Sequence, residues 1–345
     1  MIADQPQAEI EEEKRETASL PASIIHLLIS RPEFGPLVLL IVEIIIFSVR
    51  SSVFLSQANI SNLLAFTPEM GMIALGMTLL ITAGEFDLSV GSIFGLTPII
   101  MWTLFNEGVT SLEVGFLVAM TVAVLIGFVN GWFVTRLKVP SFLVTLGMMM
   151  AARGTALYIT DGFPQRTWRA ESPLLNLIVG DFYIGDFRVY ASLIWFILFM
   201  LIFGYVLTQS RYGNWIQAAG GNLSAARSRG VRVGRTKIML FILTALMAAY
   251  AGVTSSIRVS AANPNSGTGY ELEVIAMVVI GGTALTGGYG TIIGTVIGVF
   301  ILRRMRNGIV MIGVPGLAYN IFIGVIILGM MALHSWLERR HHSGI

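Results

Sequence analysis

Cysteine is absent from the 345 residues. That excludes disulfides, thiolate-bound metals and a cysteine nucleophile, and it removes any marker of redox compartment. Lysine is almost absent: Lys14, Lys138 and Lys237 are the only three, and none closes a GxxxxGK[ST] loop, so the chain has no phosphate cradle of the Walker type. The four histidines, His26, His334, His341 and His342, form no HExxH pair, and there is no GxSxG elbow. The Asp-rich pairs with which membrane prenyltransferases hold magnesium are missing too. The run Gly287-Gly288-Tyr289-Gly290 has Ile293 where a dinucleotide fingerprint needs its third glycine, and it follows no soluble strand. The expectation is a chain with no catalytic site, no cofactor and no metal of its own. Charge is scarce as well, at 12% of residues against ~25% in a soluble domain. A net charge of +2 offers nothing to a nucleic acid.

What fills the space is apolar. Hydrophobic residues make up 55% of the chain and the mean hydropathy is +0.77, more than the few polar residues could cover in water. A bilayer core of ~30 Å takes ~20 apolar helical residues to cross. Apolar runs occur at 37–55, 60–82, 87–105, 114–135, 139–160, 189–207, 238–257, 273–286, 290–303 and 316–337. They predict an all-α polytopic membrane protein of about ten transmembrane helices, with lipid as solvent. The eighth and ninth runs are short, and Gly281, Gly282, Gly287, Gly288 and Gly290 lie in and between them, which predicts broken or re-entrant segments. Gly290, Gly294 and Gly298 have the four-residue spacing that lets helix backbones approach closely.

Residues 1–30 read differently. Glu9, Glu11, Glu12, Glu13 and Glu16 surround Lys14 and Arg15, the reverse of a basic signal-peptide start. They are expected to form a polar cytoplasmic tail, followed by a transmembrane domain at 31–338 and a short cytoplasmic tail at 339–345. The loop at 208–237 carries Arg211, Arg227, Arg229, Arg232, Arg235 and Lys237 without an acid, and is expected inside. The loop at 161–188, which mixes acids with arginines, is expected outside. Both termini then fall inside, provided 273–303 crosses twice. That choice leaves Arg303, Arg304 and Arg306 on the outer side against the rule; a single crossing would instead expel the basic tail.

Several spans hold polar groups: Glu43, Glu69, Asn130, Arg153 and Asn320, with Glu85 and Asp87 between the second and third runs and Glu271 and Glu273 at the start of the eighth. A charge at the bilayer centre costs at least ~2.5–3.5 kcal/mol, so each must face water, a partner or the bundle interior. They line an aqueous path, or they pair between helices. Asp87 either caps the helix that follows it or takes part in solute passage.

The basic loop has a second reading. Asn222 can cap a short helix through Ala225 and Ala226, which Gly230 would end. A positive-inside loop needs its arginines but no such cap, so the segment reads as a docking element for a partner.

These residues also fall into an ordered set of motifs. Gly76-Met77-Thr78 precedes Asp87-Leu88-Ser89-Val90-Gly91; Val139-Pro140-Ser141-Phe142 leads to Thr145-Leu146-Gly147 and Ala152-Arg153-Gly154. Gly220-Gly221-Asn222 is followed by Ala225-Ala226-Arg227 and Gly230, then by Tyr270-Glu271-Leu272-Glu273-Val274-Ile275-Ala276, Gly281-Gly282-Thr283, Gly287-Gly288 and Arg306-Asn307-Gly308. Over most of 35–335 the chain resembles the permease subunits of bacterial ribose-type monosaccharide ABC importers.

The resemblance implies a bacterial inner-membrane protein in which two permeases, identical or closely related, form the path. It implies two ABC ATPase domains that bind ATP and magnesium, and a periplasmic or lipid-anchored binding protein that delivers the sugar. The loop matching Arg211, Gly213, Gly220, Gly221, Asn222, Ala225, Ala226, Arg227 and Gly230 would contact the ATPase and couple hydrolysis to opening. Weak sugar contacts along the path suffice, and Asp87, Asn130, Thr145, Arg153, Glu271 and Asn320 are the candidates. The chain departs from the family at Gly84-Glu85-Phe86, where a Gly-Gly-Ile-like triplet is usual; an acid and a ring there could alter which solute passes. Two alternatives stay open: the same architecture carrying an amino acid or other small polar solute, and an ion-coupled carrier that uses its intramembrane acids.

Overall fold

Hydroxyl side chains start three of the long helices, through Ser56, Ser111 and Thr291. In the computed structural model, which describes residues 33–166, 171–185, 187–319, 321–325 and 328–329, Ser56 accepts from Asn59 N–H to begin α2 (Gln57–Thr82), after α1 (Phe34–Arg50). Past α3 (Val90–Asn106), Ser111 caps α4 (Leu112–Arg136) through Val114 N–H. The helix α5 (Ser141–Thr160) follows directly on Pro140, whose fixed φ suits a helix start. The next segments are β1 (Gln165–Arg166), α6 (Pro173–Val179), β2 (Asp181–Ile184), β3 (Phe187–Tyr190) and α7 (Ala191–Gln209). Then come α8 (Arg211–Gly221), α9 (Leu223–Ser228), α10 (Val233–Arg258), β4 (Ala261–Ala262), α11 (Tyr270–Ile280) and α12 (Ile292–Met311).

The architecture is all-α, but the ten expected crossings reduce to a coarser statement. Among the described residues, five helices (α2, α4, α5, α7 and α10) are long and apolar enough to cross a bilayer, and α3 is a shorter apolar helix. The eighth run becomes α11, whose 11 residues span only ~16 Å at 1.5 Å per residue. Half of the run at 316–337 lies outside the described residues, as do both tails.

The expected outer loop carries structure of its own. Strands β2 and β3 form an antiparallel hairpin, while β1 pairs with β4 across 96 residues of sequence, Gln165 against Ala262. The guanidinium of Arg188, donating to Asp181 at 2.8 Å, holds that carboxyl below its ordinary value.

The helix α2 forms the core. It packs against α7, α10, α11 and α12, and 89% of its most apolar window is buried, against 17% for α5. Being apolar all round, it belongs inside the bundle. The helix α10 runs antiparallel to it. Arg258 pairs with Glu69 at one end and stacks on the Phe66 ring at 3.6 Å; Lys237 pairs with Glu85 at 2.6 Å at the other. These two ion pairs mark the two ends of α10; the Arg258 pair faces the middle of α2, which continues to Gln57.

Between 270 and 311 the chain runs toward the Lys237 end and then turns back. Tyr270 lies within electrostatic reach of Glu69 and Arg303 at the Arg258 end. After α11 the chain reaches the Lys237 end, where Gly288 N–H donates to the Thr82 carbonyl at 2.8 Å. The helix α12 then returns, with its Thr295 hydroxyl 2.6 Å from that of Thr78 and Arg303 donating to the Phe66 carbonyl at 3.2 Å. Of the three arginines of α12, Arg303 and Arg304 are half-buried and Arg306 is exposed. Arg304 sits 5.8 Å from the Phe54 ring centre and Arg306 5.3 Å from that of Tyr319. The orientation rule concerns flanking loop charges, so these helix-borne arginines fall outside its scope.

Candidate functional site

Two clusters gather the residues singled out in the sequence. The first is at the Lys237 end. Ser210 turns the chain from α7 into α8 by accepting from Tyr212 and Gly213 N–H. Gly213 is needed there, because a Cβ would overlap the carbonyls of Val206 and Leu207. Asn222 Oδ1 accepts from Ala225 N–H at 3.0 Å and from the Ser224 hydroxyl at 2.8 Å, which starts α9. Gly230, at φ +80°, follows the end of α9 in the left-handed region. Ala226 is buried, whereas Arg211, Ala225 and Arg227 are exposed. The result is two short helices that present a basic surface.

The C-terminal glycines of α8 lie against backbone from two other segments. A Cβ on Gly220 would overlap the Thr82 carbonyl and sit 2.6 Å from Gly288 N. One on Gly287 would sit 2.8 Å from Gly84 Cα and 3.0 Å from Gly220 Cα. Gly287 and Gly288 have φ of +81° and +85°, which a residue with a Cβ rarely adopts. The sequence showed these glycines as two separate groups; their contact is tertiary and left no local signal.

The second cluster surrounds the start of α3. Asp87 is completely buried. Its Oδ1 accepts from Ser89 N–H at 2.7 Å and from the Ser89 hydroxyl at 2.5 Å. Asn130 Nδ2 of α4 donates to Asp87 Oδ2 at 3.3 Å and to Ser89 Oγ at 3.0 Å. Asn130 Oδ1 and Ser92 Oγ are buried without a hydrogen-bond partner. Asp87 thus closes a turn ahead of α3 rather than capping the helix itself, and it ties that turn to α4.

On the far side of α3, Arg153 of α5 donates to the carbonyls of Pro264, Ser266 (2.7 Å) and Gly91 (3.1 Å). Glu271 Oε1 accepts from Gly269 N–H at 3.2 Å, and its other oxygen lies where a Cβ on Gly91 would be. Arg153 and Glu271, far apart in sequence, therefore meet at Gly91, and both are half-buried. Thr145 is completely buried, and its hydroxyl donates to the Ser141 carbonyl within α5. Asn320 lies outside the described residues. Glu85 does not stand alone: Lys237 pairs with it at 2.6 Å. The Glu69–Arg258 pair was only half legible, since the sequence marked the acid but not its partner at the end of α10. Among the described residues no group of His, Cys, Asp and Glu could hold a metal.

Residues 59–331 match the family described as the branched-chain amino acid transport system permease component. The chain belongs to that family. This permease is 38% identical to the ribose import permease protein RbsC of Escherichia coli K12 over 293 residues, covering 85% of this chain and 90% of the relative. It is 33% identical to the xylose transport system permease protein XylH of the same strain over 342 residues, covering 83% and 87%. It is 32% identical to the probable ABC transporter permease protein YphD over 308 residues, covering 89% and 91%. No solved structure matches the permease.

Proposed function

We propose that this permease is the membrane subunit of an ATP-driven importer for a monosaccharide or polyol. The observation that carries the reading is that the permeases named for ribose and xylose import align with it over more than four-fifths of each chain. The helices α8 and α9 are the seat for a nucleotide-binding subunit, which supplies ATP and magnesium. Two copies, or one copy with a close relative, enclose the path between them. A separate binding protein captures the sugar outside, so the path holds it only weakly. Arg153 and Glu271, which are half-buried, reach toward that path. Asp87, Asn130 and Thr145, buried within one copy, act from behind its wall. Both chain ends lie in the cytoplasm.

The family description also names amino acid transport, which makes a branched-chain amino acid the competing cargo. Proteoliposomes holding this permease with its co-purified ATPase and binding protein separate the two. Labelled ribose and xylose are expected to accumulate on adding ATP, and leucine is not. Accumulation of leucine alone would overturn the sugar assignment. Uptake that persists without any ATPase would overturn the importer and favour an ion-coupled carrier.

A further inference from the structure

One stretch of chain joins the glycine junction of the first cluster to the Glu271–Gly91–Arg153 contact of the second. At one end is the junction where Gly220 of α8 meets Thr82, Gly287 and Gly288 with no side chain intervening. The turn at 284–289 is closed on itself by Ala284 N–H to the Tyr289 carbonyl (3.2 Å) and Gly287 N–H to the Ala284 carbonyl (3.0 Å). It continues through Gly281 into α11. At the other end of α11 stands Glu271, against Gly91 and beside the carbonyls held by Arg153.

This stretch is built to move as a unit. A Cβ on Gly294 would overlap the Gly281 carbonyl, and one on Gly298 would overlap the Met277 carbonyl, so α11 and α12 touch backbone to backbone. Such contacts leave no flexible side chain to absorb a displacement, and packed interiors shift between discrete arrangements rather than deforming continuously.

We infer that Gly220, Gly287 and Gly288 are positioning residues for transport: they fasten α8 to the 281–291 turn, so that movement of α8 is delivered through α11 to the Glu271–Gly91–Arg153 contact. This rests on the proposed role of α8 and α9 as the ATPase seat. The competing route leads from α9 directly into α10, which Lys237 ties to Glu85. The two routes differ in what stays fixed to α8 during the cycle.

The absence of cysteine allows spin labels at chosen pairs of exposed positions. Tyr212 on α8, Leu285 in the turn and Met239 on α10 are all exposed. In the assembled complex, the distance between Tyr212→Cys and Leu285→Cys is expected to be the same in nucleotide-free and ATP-trapped states, while that between Leu285→Cys and Met239→Cys changes. A change in the first distance would overturn the inference and leave the ATPase seat intact. No change in any pair would remove the seat and the inference together. A second comparison needs no labels. Gly220→Ala places a methyl on the Thr82 carbonyl, whereas Gly204→Ala on α7 meets only Ile292 Cγ2 at an ordinary 4.0 Å. Gly220→Ala is expected to lower ATP-driven uptake at least tenfold in complexes that still assemble, with Gly204→Ala near wild type. Equal uptake by the two variants would overturn the inference even if the labelled proteins failed to assemble.

Discussion

Asp87 was chosen from the sequence because an acid next to two apolar runs needs a reason to be there. The structure gives the reason as three donors: a backbone N–H, a hydroxyl and an amide. An acceptor removed from such a site leaves the Ser89 N–H and hydroxyl buried and unpaired, at about 1–3 kcal/mol apiece. Asp87→Ala is therefore expected to lower the midpoint of thermal unfolding in detergent, with Asp87→Asn closer to wild type because it keeps one carbonyl oxygen. If Asp87→Ala unfolds normally yet fails to transport, the carboxylate acts on the solute. Arg153 makes the opposite demand, as a donor reaching three carbonyls from two segments. A lysine has one nitrogen and cannot reproduce that fork. Arg153→Lys is expected to reduce uptake several-fold and to expose the 263–269 loop to protease, read by limited digestion of vesicles. Sequence singled out both side chains and placed Ser89 beside Asp87, but the Asn130 amide and the carbonyls held by Arg153 are brought in by tertiary packing.

Helices are joined here by a few polar ties within apolar seams. The Glu69–Arg258 pair fastens α2 to α10, with both side chains almost entirely buried. Removing one member of a buried pair typically costs about 3–5 kcal/mol, whereas replacing both with apolar groups is often neutral. Arg258→Met alone should therefore destabilise strongly in detergent melts, and Glu69→Leu with Arg258→Met should recover much of the loss. On α9 the tie is the Asn222 cap. Asn222→Ala removes about 1 kcal/mol of helix stability and is expected to weaken binding of the nucleotide-binding subunit roughly fivefold in a titration, with Asn222→Asp retaining it. The cap, the terminating Gly230 and most helix limits were readable because they depend on neighbours in sequence. The β2–β3 hairpin was not, since Phe182, Tyr183, Ile184 and Phe187 give no polar alternation. Of the ten expected crossings, five have helices among the described residues that are long and apolar enough to span a bilayer.

For the assembled transporter, the division of labour is spatial. The basic helices α8 and α9 and the turn at 284–289 share the Lys237 end, while the Glu69–Arg258 pair sits at the Arg258 end. In mild detergent the permease is expected to purify as two copies with two nucleotide-binding subunits, read by native mass measurement; a stable one-to-one complex would contradict a path enclosed between copies. The joint between α8 and the 281–291 turn consists of carbonyls, amides and glycine carbons. Such a joint has no chemical preference for any cargo. If the path runs past Glu271 and Arg153 as proposed, side chains there can be exchanged over evolutionary time to suit another sugar without retuning the drive at the opposite end. A common engine can in this way serve a changing set of nutrients.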